Sequence, residues 1–514
     1  MLGLRGKFIL HCLSIVILTQ CITCPKVYDV DTDGSESDTD SSSDDDVPVG
    51  LNFVDLISIV CPRKSDIHKP IGRTNIVLFS PVTLQDVVIK IDRNNLDSSV
   101  KQLIDGGFDL RNPSVMYVPG WRETATASWL RRIRRRYASK FKGDRKRPAI
   151  NLLFFEFPED TGRSYRKIAA RVPALGKVLA EFFTAFSHRV AYRMTRMHMI
   201  GFSISTHIVG VAGRLLGRNG NPVRQVTALD PAGPCFFGKS DFAREYTLNP
   251  DAANLVVARH YGFGNLGARR SVGGLDIFVN GGREQPDSIR HSEKYFIMRK
   301  NRANHRTSAF HEALASVNAS CHEVAYRCDS YDLFLQGACG NCISETDCFH
   351  MHSLSRVTNQ AHPLEYRRNT KMYILAGGNN YCLHHYQMIV LLKWNAPPEV
   401  VSAFKSGRIR VRIGSGEVTP QRAITCRGTQ AFTSLITSER RLHVIDLRDI
   451  TIYEKRKPSE NLSTSALKRI KLNYMSHPLE AERRSKSITL CPKGEDRMST
   501  STCSIREIKL HLNC

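Results

Sequence analysis

The segment Gly201-Phe202-Ser203-Ile204-Ser205 leaves a short apolar run at 197–201 and enters a helical stretch at 208–216. A strand that turns sharply into a helix at a serine forces that side chain out at the upper edge of a sheet, where its hydroxyl can act as a nucleophile. Small residues two before and two after the serine are needed because strand and helix pass close by. Gly201 meets the first requirement, and Ser205 stands where Gly is usual, which predicts a turn under some strain. Such pentapeptides are common by chance, so the neighbourhood decides. Downstream, the apolar run 226–229 ends at an acid and a proline turn, Asp230-Pro231-Ala232-Gly233-Pro234, and a further strand-like run at 275–279 precedes Ala303-Asn304-His305. A serine hydroxyl is a poor nucleophile at neutral pH. It needs an imidazole to take its proton and a carboxylate to fix the imidazole tautomer, and Ser203, Asp230 and His305 offer these groups in that order. Plainer readings stand beside this one: Asp before Pro also caps helices, and one histidine among eighteen is more often structural. His207, carried away from the Ser203 hydroxyl by a helix, reads as packed.

The elements that must position these groups alternate through the first two thirds of the chain. Short apolar runs are followed by amphipathic helices, the pattern of a mainly parallel sheet covered by helices. Residues 114–118 and 150–155 read as buried strands, with a basic helix at 128–141 between them. In 165–186, Ile168, Val172, Leu175, Leu179 and Phe183 recur at helical spacing, so one face packs on the sheet. After about residue 373 the pattern changes to strand-like runs at 387–394, 408–413, 442–447 and 505–512, read as a β-sandwich beginning near 378. Residues 455–484 are polar and basic and read as a loose insertion. There is no internal repeat.

A chain of 514 residues allows two or three domains of the usual roughly 100 to 200 residues, and 41% hydrophobic with 24% charged residues is globular. Arg5 and Lys7 precede an apolar run at 8–18 and the small residues Thr19, Cys21 and Thr23, the layout of a signal peptide over 1–23. That run is too short to span a bilayer, and no later stretch reaches the required length, so the expected product is a soluble, secreted, extracellular protein. Residues 24–50 read as a disordered acidic linker. Beyond residue 50, 70 basic residues face 40 acidic ones, a formal +30.

Fifteen cysteines behind a signal imply an oxidising compartment. Cys328 with Cys339, and Cys342 with Cys348, can each close a short loop. A zinc site at Cys339 and Cys342 lacks a second pair at finger-like spacing. Asn318 and Asn461 lie in glycosylation sequons. The run Arg131, Arg132, Arg134, Arg135, Arg136, Lys140, Lys142, Arg145, Lys146 and Arg147 is dense enough to bind heparan sulfate or an anionic membrane surface, against the plainer reading of a solvated helix face. Export argues against nucleic acid as a partner. Residues 132–135 also have the form of a processing site, but a helix there resists cleavage.

On the residues quoted, the sequence resembles the pancreatic lipase family, which also includes lipoprotein and endothelial lipases and has divergent secreted members, viral ones among them. The likeness runs from about Phe108 to Lys371 and more faintly to the C-terminus. It implies an α/β-hydrolase domain with a central mainly parallel sheet over 51–377, then a PLAT-like, lipid-associating β-sandwich over 378–514. It also implies hydrolysis of triacylglycerol or phospholipid esters through an acyl-enzyme, with Ser203 as nucleophile, Asp230 as acid and His305 as base. Val118-Pro119-Gly120-Trp121 resembles the family's His-Gly-Phe turn, which makes the Trp121 and Ile204 backbone N–H groups the oxyanion donors. The two cysteine pairs resemble family disulfides, and Cys491 with Cys514 resembles the bond closing the C-terminal sandwich. There are departures. The lid between Gly282 and His305 lacks a clamping disulfide, although Ile289, Tyr295, Phe296, Ile297 and Met298 supply an apolar patch. In the calcium loop, Leu248-Asn249-Pro250-Asp251 offers an amide where an acid is expected, so neither metal nor cofactor is predicted. The same departures fit a pseudoenzyme that binds lipid, lipoprotein or sulfated glycan without turnover, and ester hydrolysis is the expected function.

Overall fold

The computed structural model describes residues 61–377, apart from 68, 140–149, 238–240, 284, 287–296, 316–322, 341, 343–345 and 352–368. Beyond 381 it describes the strands between 382 and 499 with their nearer flanks. The signal and linker segments, Asn318, Asn461, Cys514 and the lid residues Ile289, Tyr295 and Phe296 lie outside the described residues. Contacts group Pro48–Cys514 into one unit, apart from Met1–Val47. Among the described residues no helix is long and apolar enough to cross a membrane.

One eleven-stranded sheet carries the first part of the chain. Its strands are β1 (Asn75–Phe79), β2 (Asp86–Lys90), β3 (Ser114–Val118), β4 (Asn151–Glu156), β5 (Met197–Phe202), β6 (Gln225–Leu229), β7 (Leu255–His260), β8 (Leu275–Val279), β9 (Val324–Arg327), β10 (Cys348–His350) and β11 (Thr370–Ile374). They lie in the order β10-β9-β11-β8-β7-β6-β5-β3-β4-β1-β2. The seven from β11 to β4 run parallel, while β1 and β2 at one edge and β9 and β10 at the other are antiparallel. Every residue of β3, β5, β7 and β8 is buried, which is why these strands read as continuous apolar runs: parallel strands are covered on both faces.

The covering helices are α1 (Leu96–Asp105), α2 (Ser128–Ser139), α3 (Tyr165–Val190), α4 (Ser205–Arg218) and α5 (Ile297–Ala315). On one face α1, α3 and α4 bury Val100, Leu103, Val172, Leu175, Leu179, Phe183, Ile208 and Leu216 against β3, β4 and β5. A Cβ on Gly176 of α3 would lie 2.6 Å from the Val211 Cβ of α4, so glycine lets these two helices approach. On the other face α2 and α5 bury Trp129, Leu130, Ile133, Tyr137, Ala309 and Ala313.

The basic run on α2 is not the uniform charged surface expected from composition. Arg134 is buried: its Nε lies 3.1 Å from Asp86 Oδ1, and its guanidinium sits 3.7 Å from the Phe154 ring centroid. It shares a helical phase with Leu130 and Tyr137, so the helix turns it toward the core. Arg136 donates to the Leu314 carbonyl and Arg131 to the Thr126 carbonyl, which leaves Arg132 and Arg135 as the exposed cations of the five. Arg134 is therefore corrected from a surface glycan contact to a core anchor.

Beyond β11, His384–Leu392 pairs with Ala431–Ser438 on one side and with Leu467–Tyr474 on the other, inside a six-stranded antiparallel sheet. The loose insertion expected at 455–484 thus contains a central strand. Ile470 and Leu472 are buried while Arg469, Lys471 and Asn473 alternate with them, a period of two that the basic composition obscured. A second antiparallel sheet pairs Arg408–Ile413 with Leu447–Glu454. The strand-like run at 505–512 lies outside the described residues. Disulfides Cys328–Cys339 and Cys342–Cys348 are formed. A third, Cys61–Cys235, closes a separation of 174 residues that sequence spacing did not reveal.

Candidate active site

Three strand ends at one rim of the sheet meet here. β5 stops at Phe202 and α4 starts at Ser205, so the chain reverses within Ser203 and Ile204. Ser203 takes a φ of 57°, the left-handed region that a non-glycine residue occupies only when its surroundings hold it there. Its N–H donates to the Leu229 carbonyl at 3.0 Å. A Cβ on Gly201 would lie 2.7 Å from the Ser205 carbonyl oxygen, the close approach that demands glycine there. Ser205, in the second small-residue position, is wholly buried, and its Oγ donates to the Pro119 carbonyl.

β6 ends at Leu229, and Asp230 follows with a φ of 44°. Its carboxylate is completely buried. Oδ1 accepts the Tyr261 and Gly262 N–H groups at 2.8 and 3.0 Å, and Oδ2 meets His305 Nδ1 at 2.6 Å. Asp230 is thus not a helix cap; it sits in a cradle where a Cβ on Gly262 or Gly267 would come within 2.9 or 2.8 Å of its oxygens. His305 lies on α5 with its side chain 11% exposed, and its ring packs 5.0 Å from Phe202, the residue before Ser203. Among the described residues no hydrogen bond joins His305 to the Ser203 hydroxyl. Such bonds are commonly long before substrate arrives and tighten with it.

The Pro119-Gly120-Trp121 turn follows β3 beside the elbow. Pro119 has no N–H to donate. Gly120 N–H donates to Glu123 Oε2 at 3.0 Å, Arg122 N–H to the Thr161 carbonyl, and Glu123 N–H back to the Gly120 carbonyl. Among the described residues the Trp121 and Ile204 backbone N–H groups have no acceptor; Ile204 is fully buried, where an N–H left without one is rare. The Trp121 indole donates to the Arg163 carbonyl at 2.7 Å and stands edge-on to Tyr165. Burial pushes the Glu123 carboxyl up, while the Gly120 and Trp129 N–H groups and the charge of Arg306 pull it back.

His207 is packed, as its helical position implied. Its Nε2 meets the Ala232 carbonyl at 2.9 Å, its Nδ1 accepts the Leu248 N–H at 3.0 Å, and its ring stacks on Phe236 at 3.8 Å. Burial lowers its pKa to about 3, so it is neutral. In the segment Leu248-Asn249-Pro250-Asp251, for which no metal is expected, Asn249 turns its side-chain oxygen onto the Asp251 N–H, a local cap.

Sequence reasoning missed the buried polar network beneath α5. His311 lies between the Tyr261 hydroxyl and the Glu323 carboxylate, and Glu312 pairs with Arg259 at 2.6 Å while accepting the Tyr117 hydroxyl at 3.0 Å. Both follow His305 on the same helix, so the segment carrying the imidazole is fixed to β3, to β7 and to Glu323 just before β9. Glu123 was also missed, although an acid three residues after the turn's glycine was a readable signal.

Comparison with known proteins gives a match to the lipase family over residues 70–378. Among relatives, lipase member H of Danio rerio is 30% identical over 244 residues, covering 46% of this chain and 48% of that protein. Phospholipase A1 member A of Bos taurus is 29% identical over 305 residues, 56% of this chain and 62% of that one. Lipoprotein lipase of Gallus gallus is 27% identical over 298 residues, 55% and 56% respectively. The matches therefore span about half of each relative's length.

Proposed function

The chain belongs to the lipase family, and on that footing we propose that it hydrolyses carboxylic esters of lipids, triacylglycerol or phospholipid, through an acyl-enzyme on Ser203. The observation that carries this reading is the 2.6 Å contact of His305 Nδ1 with buried Asp230, on the rim where Ser203 is held at a left-handed φ. With Nδ1 committed as donor to a carboxylate, the neutral imidazole keeps its lone pair on Nε2. Nε2 accepts the Ser203 proton as the oxygen attacks the acyl carbon, and Asp230 stabilises the imidazolium. The oxyanion forms against the Trp121 and Ile204 N–H groups, and loss of one such donor costs on the order of 3 kcal/mol. His305 then gives its proton to the departing alkoxide, and water repeats the sequence to release the acid. The relatives named lipase and phospholipase A1 support lipid esters as the substrate class.

The departures from the family pattern do not favour a binding-only protein, because Ser205 fits the elbow and finds a carbonyl to bond. Secretion is supported by the disulfides Cys61–Cys235, Cys328–Cys339 and Cys342–Cys348, since such bonds persist in oxidising compartments. In the same reading the two C-terminal sheets stack as a lipid-associating, PLAT-like sandwich closed by Cys491 and Cys514, and Asn318 and Asn461 carry glycans. Exposed Arg132 and Arg135 with partly exposed Arg131 and Arg136 give the basic face that meets heparan sulfate or anionic membrane. Neutralising Arg132 and Arg135 releases the protein from a heparin column at distinctly lower salt; unchanged elution removes that role. The function itself is tested by comparing the protein with Ser203→Ala on short-chain and phospholipid esters. Turnover confined to the serine form is expected, and equal rates refute the hydrolase.

A further inference from the structure

Two side chains that the triad does not use bond to the oxyanion turn. Ser205, fully buried at the start of α4, donates its hydroxyl to the Pro119 carbonyl. This ties the elbow, which carries the Ile204 N–H, to the turn that carries the Trp121 N–H. Glu123 takes two donors on one oxygen: Oε2 accepts Gly120 N–H at 3.0 Å and the Trp129 indole of α2 at 3.2 Å, while its own N–H returns to the Gly120 carbonyl at 3.2 Å. The turn is further pinned by Phe202, whose ring would lie 2.8 Å from a Cβ on Gly120. After these bonds are counted, Trp121 holds the one N–H of the turn without an acceptor among the described residues.

We infer that Ser205 and Glu123 are positioning residues that clamp the oxyanion turn, fixing the spacing of the Trp121 and Ile204 N–H groups while touching no reacting atom. The inference rests on the hydrolase reading above. It explains how the chain accommodates both of its departures at this corner: the serine that replaces the elbow's second glycine bonds the very residue, Pro119, that departs from the His-Gly-Phe turn. Hydrogen bonds weaken steeply with angle, and a displacement of about 1 Å at a reacting centre can cost around a hundredfold in rate. The clamp acts on the tetrahedral state, where the oxyanion exists, and leaves ground-state binding alone.

The experiment measures kcat and KM on a soluble ester for the wild type, Ser205→Ala, Glu123→Ala, Glu123→Gln and Ser203→Ala, with thermal melting of each. Ser205→Ala and Glu123→Ala should each lower kcat about tenfold to a hundredfold with KM within about twofold, by the cost of misplacing a donor. Glu123→Gln keeps an acceptor oxygen and recovers most of that loss. Inhibition by an alkyl boronic acid, which forms the tetrahedral adduct, weakens in step with kcat. Where Glu123→Ala does not fold, Ser205→Ala decides. Wild-type kcat in Ser205→Ala and Glu123→Ala overturns the clamp while leaving the hydrolase intact, and so does a Glu123→Gln variant no better than Glu123→Ala. A wild type no faster than Ser203→Ala overturns the hydrolase reading and the clamp with it.

Discussion

Replacing Asp230 by Asn leaves the shape of the site unchanged and should nevertheless almost abolish turnover. The carboxylate has two backbone donors on one side, Tyr261 N–H at 2.8 Å and Gly262 N–H at 3.0 Å, and His305 Nδ1 at 2.6 Å on the other. An Asn amide can satisfy the two N–H groups only with its carbonyl oxygen, because its NH2 would meet them donor to donor. The NH2 must then face His305, which forces Nδ1 to accept and moves the imidazole proton to Nε2. In that tautomer Nε2 has no lone pair to receive the Ser203 proton. A comparable tautomer error in serine hydrolases costs about 10⁴ in kcat, close to 5 kcal/mol of barrier. The backbone bonds survive, so stability should change by no more than about 1 to 2 kcal/mol. The assay is steady-state hydrolysis of a soluble ester with urea unfolding of the same samples. A variant that keeps more than a tenth of wild-type kcat while folded refutes the assignment of Asp230 as the tautomer-setting acid.

Other expectations follow from the surrounding structure. Removing Cys61–Cys235 in the double alanine variant frees a 174-residue loop, which chain entropy values at about 5 kcal/mol; urea unfolding should show a loss of that order, and a change below about 1 kcal/mol contradicts it. Glu312→Ala strands the Arg259 guanidinium, only 3% exposed, and should cost about 3 to 5 kcal/mol, whereas Glu312→Leu with Arg259→Met should cost less than that single change; equal losses would show that the pair is not coupled. Because the folded pKa of His207 is lowered to about 3 from 6.5, the unfolded chain binds more protons between those values. Stability should therefore fall as pH drops through that window, by up to about 1.4 kcal/mol per unit from this group, and His207→Gln should flatten the slope measured by unfolding at several pH values.

The parts of the fold that could be read from sequence are those where burial leaves a compositional trace. β3 matches its expected bounds because all five of its residues are buried, so the strand contains little but apolar side chains. α3 was visible through Ile168, Val172, Leu175 and Leu179, which share one helical face, although its end at the left-handed Ala191 lies beyond the stretch that the apolar pattern marked. Leu467–Tyr474 escaped because Arg469, Lys471 and Asn473 alternate with its buried face, and overall polarity masked the period. Arg134 escaped because a run of arginines was judged by its charge and not by helical phase. At the site, the elbow, the acid and the histidine could be named because each sits in a local motif. Glu123 bonds within its own turn, to Gly120 and Trp129, and was a local signal left unread; the contacts of Ser205, His311 and Glu312 arise where segments distant in the chain meet, and no local pattern encodes them.

Covalent labelling by a fluorophosphonate tests most directly whether the Ser203 hydroxyl is activated by His305 and Asp230, since the probe reacts with an ionisable serine and not with one merely exposed. The folded protein should label at Ser203, mapped by peptide mass, with labelling lost in Ser203→Ala and reduced by orders of magnitude in His305→Ala. Labelling absent from the folded wild type, or undiminished in His305→Ala, would contradict the account.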